Sequence, residues 1–148
     1  MSQAVQPSDF GFFFDVPTRW GDLDSLGHVN NAKYFTFDES ARLAYFEDML
    51  GANPTDPSGQ GLILARIECD FLAQLHHPSL VRIGYRVTRI GRSSMQTMGG
   101  MFVGDRLMAV SRGVVVWFDY RTQQTAAVPD AVREQIRSRE PIAPEEPT

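Results

Sequence analysis

One stretch of this 148-residue chain has a helical period, and it constrains the fold more than any other. From Asn30 to Gly51 the residues read NNAKYFTFDESARLAYFEDMLG. Tyr34, Phe37, Ala41, Ala44 and Tyr45 recur at helical spacing, and Phe35, Phe46, Met49 and Leu50 broaden the apolar face. Asn30 and Asn31 are suitable N-caps, and Gly51 suits the left-handed residue just past a helix end. The spacing predicts a helix of about five turns. Apolar residues cover so much of its circumference that it should be largely buried. A sheet wrapped around it would satisfy that.

The rest of the chain supplies such a sheet. FGFFFDVPTRW reads as an extended aromatic segment, and WGDLDSLGH as a loop. After a turn-rich connector, ANPTDPSGQG, come four strand-like runs: LILARIECDFLAQL, SLVRIGYRVTRI, SMQTMGGMFVG and RLMAVSRGVVVWFDY. The breaks between them, HHP, GRS and GD, carry turn chemistry. VPDAVREQIRSRE reads as a short amphipathic helix opening at a proline, and PIAPEEPT as a disordered tail. The order predicts an α+β domain over residues 1–128, with an antiparallel sheet of about five strands around one long central helix. Residues 129–148 follow as a short helix and tail.

Composition narrows the function classes. With 43% hydrophobic and 22% charged residues the chain is of ordinary globular type. No run approaches the ~20 apolar residues of a membrane-spanning helix. The first dozen residues hold no Lys or Arg, unlike a secretory signal, so a cytoplasmic protein is expected. A net charge of −4 argues against a nucleic-acid surface. Cys69 is the only cysteine, excludes an intramolecular disulfide and reads as a packing residue.

The chemistry is concentrated in RWGDLDSLGHVNN. Asp22 and Asp24 would share a face of extended backbone and could serve acid–base work; both could equally be loop acids in Asx turns or caps. His28 could be a general base or a loop histidine. D-x-D beside His28, His76 and His77 raises a metal reading, but adjacent histidines in a turn diverge, and no metal is expected. The helix start is the more physical clue. Its first backbone N–H groups lack helical partners and its dipole favours negative charge, so a carbonyl aimed at Asn30 or Asn31 would be polarised.

RWGDLDSLGHVNNAKYF followed by DESARLAYF resembles the hotdog-fold acyl-CoA thioesterases of the 4-hydroxybenzoyl-CoA thioesterase type, whose signature is D-x-D-x-x-G-H-V-N-N, an aromatic and then E-x-A-R. The resemblance spans roughly residues 10–125. It implies that Asp24 is the catalytic carboxylate, as nucleophile or general base, and that the Asn31 N–H holds the thioester carbonyl. Gly27 would let the chain approach closely, His28 would line the substrate site, and Asp22 would hydrogen-bond the loop. Glu39 and Arg42 match E-x-A-R and read as an intrahelical pair. RIGRSS aligns with the loop that meets coenzyme A, making Arg92 and Ser93 its expected contacts and Arg89 a weaker one. G-H-V-N-N favours an aliphatic acyl chain, with Phe12, Phe13, Phe14, Leu62, Leu64, Met95 and Met98 shaping its pocket. The resemblance implies no cofactor and implies a homodimer, assembled further to a homotetramer, through the apolar last strand GVVVWFDY. Two other readings remain: a hotdog dehydratase of hydroxyacyl thioesters, whose helix-entry pattern differs, and a non-catalytic acyl-thioester binding subunit, which would not need Asp24.

Overall fold

Tyr34, Phe37, Ala41, Tyr45, Phe46 and Met49 form one buried stripe, and the sheet is built against it. In the computed structural model, which describes residues 4–147, β1 (Phe13–Pro17) leads through a 3-10 turn (Trp20–Asp22) into α1 (Asn31–Leu50). Then follow β2 (Gln60–Phe71), β3 (Leu80–Ile90), β4 (Ser94–Val103), β5 (Arg106–Asp119), the two-residue β6 (Gln124–Thr125) and α2 (Asp130–Arg139). Asn30 caps α1 by accepting from the Ala32 N–H at 3.0 Å. Gly51 ends it at φ 64°, where a side chain would be strained.

The strands are antiparallel in the order β1-β3-β4-β5-β2, with β6 beside the end of β5. Ile83 and Val87 of β3, Met95 and Met101 of β4, and Val115 and Trp117 of β5 face the helix stripe in one core. α1 is buried on one side only: Glu39 and Glu47 are exposed and Leu43 is 37% exposed. A sheet curled against one face leaves the far face of a helix open, and that limits the burial expected from the apolar count. No helix among the described residues is long and apolar enough to cross a membrane.

Three local expectations change. The run GVVVWFDY is not an edge: Val115 is paired with both Met95 of β4 and Leu64 of β2. The outer strand on that side is β2, which exposes Ile63, Leu64, Phe71 and, just past its end, Leu72. Arg42 does not chiefly pair with Glu39, which lies 3.9 Å away and is mostly exposed. Its guanidinium is 2.7 Å from Asp38, in the core, where Asp38 also accepts from Ser111. Burial raises the Asp38 carboxyl despite both donors.

The tail expected to be disordered lies along β3. Ile90 N–H donates to Glu145 O at 2.8 Å, and Glu145 N–H donates to Thr88 O at 2.9 Å. β1 pairs only with Leu80–Gly84, so the later part of the β3 edge needs another partner. The tail supplies backbone there, while Glu145 meets Arg89 and Glu146 meets Arg133 and Arg137.

Candidate active site

The loop between β1 and α1 folds back on itself at Gly27. Leu23 and Val29 form an antiparallel bridge, and the Asp24 N–H donates to His28 O at 2.8 Å. Gly27, at φ 80°, closes the turn by donating to Asp24 O at 3.1 Å. A left-handed residue is required there, which is why glycine occupies it. The loop is tied down by Asn30 N–H donating to Asp22 O and Val29 N–H donating to Leu75 O.

The turn sends the two aspartates to different places. Asp22 is inside, its carboxylate accepting from the Arg19 N–H at 2.8 Å and the Arg19 guanidinium at 3.1 Å, with Lys33 at 4.0 Å. Burial alone would raise this carboxyl; the Arg19 hydrogen bonds and the two positive charges outweigh it and hold it below the usual range. Asp24 faces outward. Its Oδ1 accepts from Leu26 N–H at 2.9 Å and His28 N–H at 3.3 Å, while Oδ2 takes no hydrogen bond among the described residues. The carboxylate is thus oriented through one oxygen and available through the other.

Asp24, His28 and Asn31 line one cavity of about 520 Å³, walled by Val29, Tyr34 and the segment Phe71–Gln74. Asn31 is the first residue of α1, and its N–H has no backbone acceptor among the described residues. The first residue of a 20-residue helix, at its positive end, therefore borders the same cavity as the carboxylate-bearing Asp24. The His28 ring packs edge-on against His76 at 5.2 Å, whereas His77 Nδ1 sits 2.8 Å from Thr18 Oγ1. Among the described residues no group of three or more His, Cys, Asp or Glu is placed to hold a metal.

Arg92 and Ser93 are brought to the opposite end of the sheet. They occupy the β3–β4 turn, level with the start of β2 through the pairs Ser94–Val116 and Ile63–Val116. Phe71 lies eight residues further along β2 than Ile63, so about 25 Å separates this turn from the cavity within one chain. Arg89 is engaged by Glu145 at 3.3 Å, whereas exposed Arg92 has no carboxylate in ion-pair range among the described residues.

The apolar residues expected to shape one pocket are also divided. Phe12, Phe13 and Phe14 line a separate cavity near the end of α1, Leu62 and Leu64 line a groove beside Arg42, and Met95 is core. The cavity wall that the motif did not reveal comes from Tyr34 and Phe71–Gln74. Tyr34 counted only as a core position of the helix, yet its hydroxyl also accepts from the Leu75 N–H at 3.2 Å. The signal for the other wall was DFLAQL, which stays apolar past the residue where β2 leaves its partner.

A sequence profile of the thioesterase-like superfamily matches residues 18–136. The uncharacterized protein YsmA of Bacillus subtilis (strain 168) is 30% identical over 90 residues, which are 60% of this chain and 58% of that one; the chain thus spans less than two thirds of that relative. Among solved structures, the PA5185 protein of Pseudomonas aeruginosa strain PAO1 is 28% identical with a TM-score of 0.82, over 93% of this chain and 97% of that one. A thioesterase complexed with coenzyme A and Zn from Thermus thermophilus is 32% identical with a TM-score of 0.79, over 88% and 94%. The likeness takes in the sheet and its long helix, which is the hotdog architecture that the motif implied.

Proposed function

The chain belongs to the thioesterase-like superfamily, and we propose that it is an acyl-CoA thioesterase, cleaving an aliphatic acyl-CoA to free acid and coenzyme A. One observation carries the reading: Asp24, whose Oδ2 takes no hydrogen bond among the described residues, and Asn31, whose N–H has no backbone acceptor among them, line one cavity. The thioester carbonyl oxygen accepts from Asn31 N–H, and the helix dipole favours the negative charge that develops on it. Asp24, ionised, then attacks the carbonyl carbon or takes a proton from an attacking water. In the first route the thiolate of coenzyme A leaves and a water then cleaves the anhydride formed on Asp24. In the second the water oxygen joins the carbonyl carbon as the thiolate leaves, and both routes release the free acid. His28 shapes the near wall, Gly27 makes the turn that brings Asp24 and His28 together, and the apolar side chains of Val29, Tyr34, Phe71 and Leu72 suit an aliphatic chain.

Arg92 and Ser93 enter this reading through a second copy of the chain. β2 is the last strand in the sheet order, and pairing it with its own copy about a two-fold axis is antiparallel. The Gln60 end of one β2 then lies beside the Phe71 end of the other. That carries the Arg92 turn of one protomer toward the Asp24 cavity of its partner, where an arginine can meet a phosphate. Homodimers of this kind assembling to a homotetramer complete the proposal.

Thiol release from a panel of acyl-CoAs, short to long and aliphatic to aromatic, tests it. Turnover of aliphatic members is expected. Turnover confined to aromatic acyl groups would overturn the substrate class, and silence across the panel would overturn the activity.

A further inference from the structure

We propose that Arg133, on α2, is a positioning residue that sets the β3–β4 turn for coenzyme A; this rests on reading Arg92 and Ser93 as contacts for its phosphates. The turn has little of its own to hold it: Gly91 N–H donates to Ser94 O at 2.8 Å, Ser93 O accepts from Trp117 N–H, and Arg92 is exposed. Arg133 braces it from behind. Its Nη2 donates to Gly91 O at 2.6 Å and to Arg92 O at 3.1 Å, and its Nε donates to Val128 O at 3.2 Å. Val128 N–H donates to Arg92 O at 2.8 Å, so that carbonyl is claimed twice from the same side.

The brace is itself held. Glu146 lies 3.6 Å from Arg133 Nη1 and also engages Arg137, so the tail fixes the guanidinium that fixes the turn. The same segment sorts the arginines beside it: Glu145 occupies Arg89, and Arg92 is left without a carboxylate among the described residues. With two carbonyls committed inward, the Arg92 side chain starts from a fixed backbone. A phosphate that binds it then pays less to order the loop. Arg133 does not line the Asp24 cavity, so its loss acts on binding of the nucleotide part and leaves the chemical step alone.

The test compares an acyl-CoA with the matching acyl-pantetheine, which has the same thioester and lacks the nucleotide phosphates. Arg133→Met keeps the apolar stem and removes the donors. KM for acyl-CoA is expected to rise about tenfold, the scale of one hydrogen bond from a charged group, with kcat and the acyl-pantetheine parameters unchanged. Should Arg133→Met fail to fold, Glu146→Gln keeps the guanidinium and loosens it. A smaller rise of about two- to threefold, again selective for acyl-CoA, is expected there. A KM rise of equal size on both substrates, or a fall in kcat, would overturn the proposal. Arg92→Ala run alongside separates the two layers. Selectivity against acyl-CoA in Arg92→Ala but in neither brace variant overturns the brace alone, and no selectivity in any of them overturns the phosphate reading with it.

Discussion

Asp22 and Asp24 stand two residues apart and differ in every physical respect that matters. Asp22 is inside, with Arg19 and Lys33 around it, and its carboxyl is held below its ordinary 3.8. A depressed carboxylate contributes stability at neutral pH and loses it as pH falls through the folded value, below 3.8. Asp24 lines the cavity and gives one oxygen to the loop, while its other oxygen takes no hydrogen bond among the described residues. What separates them is the backbone reversal at Gly27, whose φ of 80° costs an L side chain about 1–2 kcal/mol. Among the described residues no heavy atom beyond its chain neighbours lies within 4 Å of where its Cβ would be, so Gly27→Ala acts through the backbone alone. It is expected to lower stability by that amount in denaturant melts and to lower kcat, because Asp24 and Asn31 lose their mutual placement. Wild-type kcat in Gly27→Ala would show that the turn does not set the site.

At the scale of elements, α1 was legible because every signal is local: the stripe, the Asn30 cap and the Gly51 end lie within 22 consecutive residues. The four later strands were legible for the same reason, as runs bounded by turn residues. Their lateral order was not, since nothing local says that β5 pairs with β2 and leaves β2 outermost. The tail reads as disordered because its composition is that of a solvated segment; its order comes from Arg133 and Arg137 on α2 and from Arg89 and the bare edge of β3, which are distant in sequence. The site divides likewise. Asp24, Gly27, His28 and Asn31 sit in one continuous motif, whereas the wall from Phe71–Gln74 is brought in by the sheet.

The join between α2 and the tail carries a further consequence. Glu140 is 8% exposed, accepts from Tyr45 Oη at 3.0 Å and lies 3.9 Å from Arg86 Nε, too far for a hydrogen bond. Burial pushes its carboxyl from 4.5 up to about 7, more than the Tyr45 hydrogen bond and Arg86 draw it down. A raised folded value means the docked form prefers the proton. Its stabilising share is full below 4.5 and is lost as pH rises through about 7. Glu140→Gln, which stays neutral, is expected to exceed the wild type in stability at pH 8 by roughly 1–3 kcal/mol, and the difference should shrink at pH 5. Paired thermal melts at the two values measure this; a difference independent of pH would contradict it.

For the whole molecule, the proposed chemistry divides one active site between two chains. The cavity lined by Asp24 is at one end of β2, and Arg92, with no carboxylate in ion-pair range among the described residues, is at the other. The outer strand exposes Ile63, Leu64 and Phe71, with Leu72 just beyond. Sedimentation is expected to show dimers or tetramers of the 16.6 kDa chain. Ile63→Lys on the outer strand should shift them toward monomer and cut thiol release together, and a wild-type monomer with full activity would rule out the shared site.

The most direct measurement of the central claim is thiol release by Asp24→Asn on the best acyl-CoA substrate. The amide keeps the size and the loop contacts of the carboxylate but can neither attack nor accept the proton. A catalytic Asp24 predicts a fall in kcat of about a hundredfold or more with the melting temperature unchanged. Full activity in Asp24→Asn would contradict it and return Asp24 to the role of a loop acid.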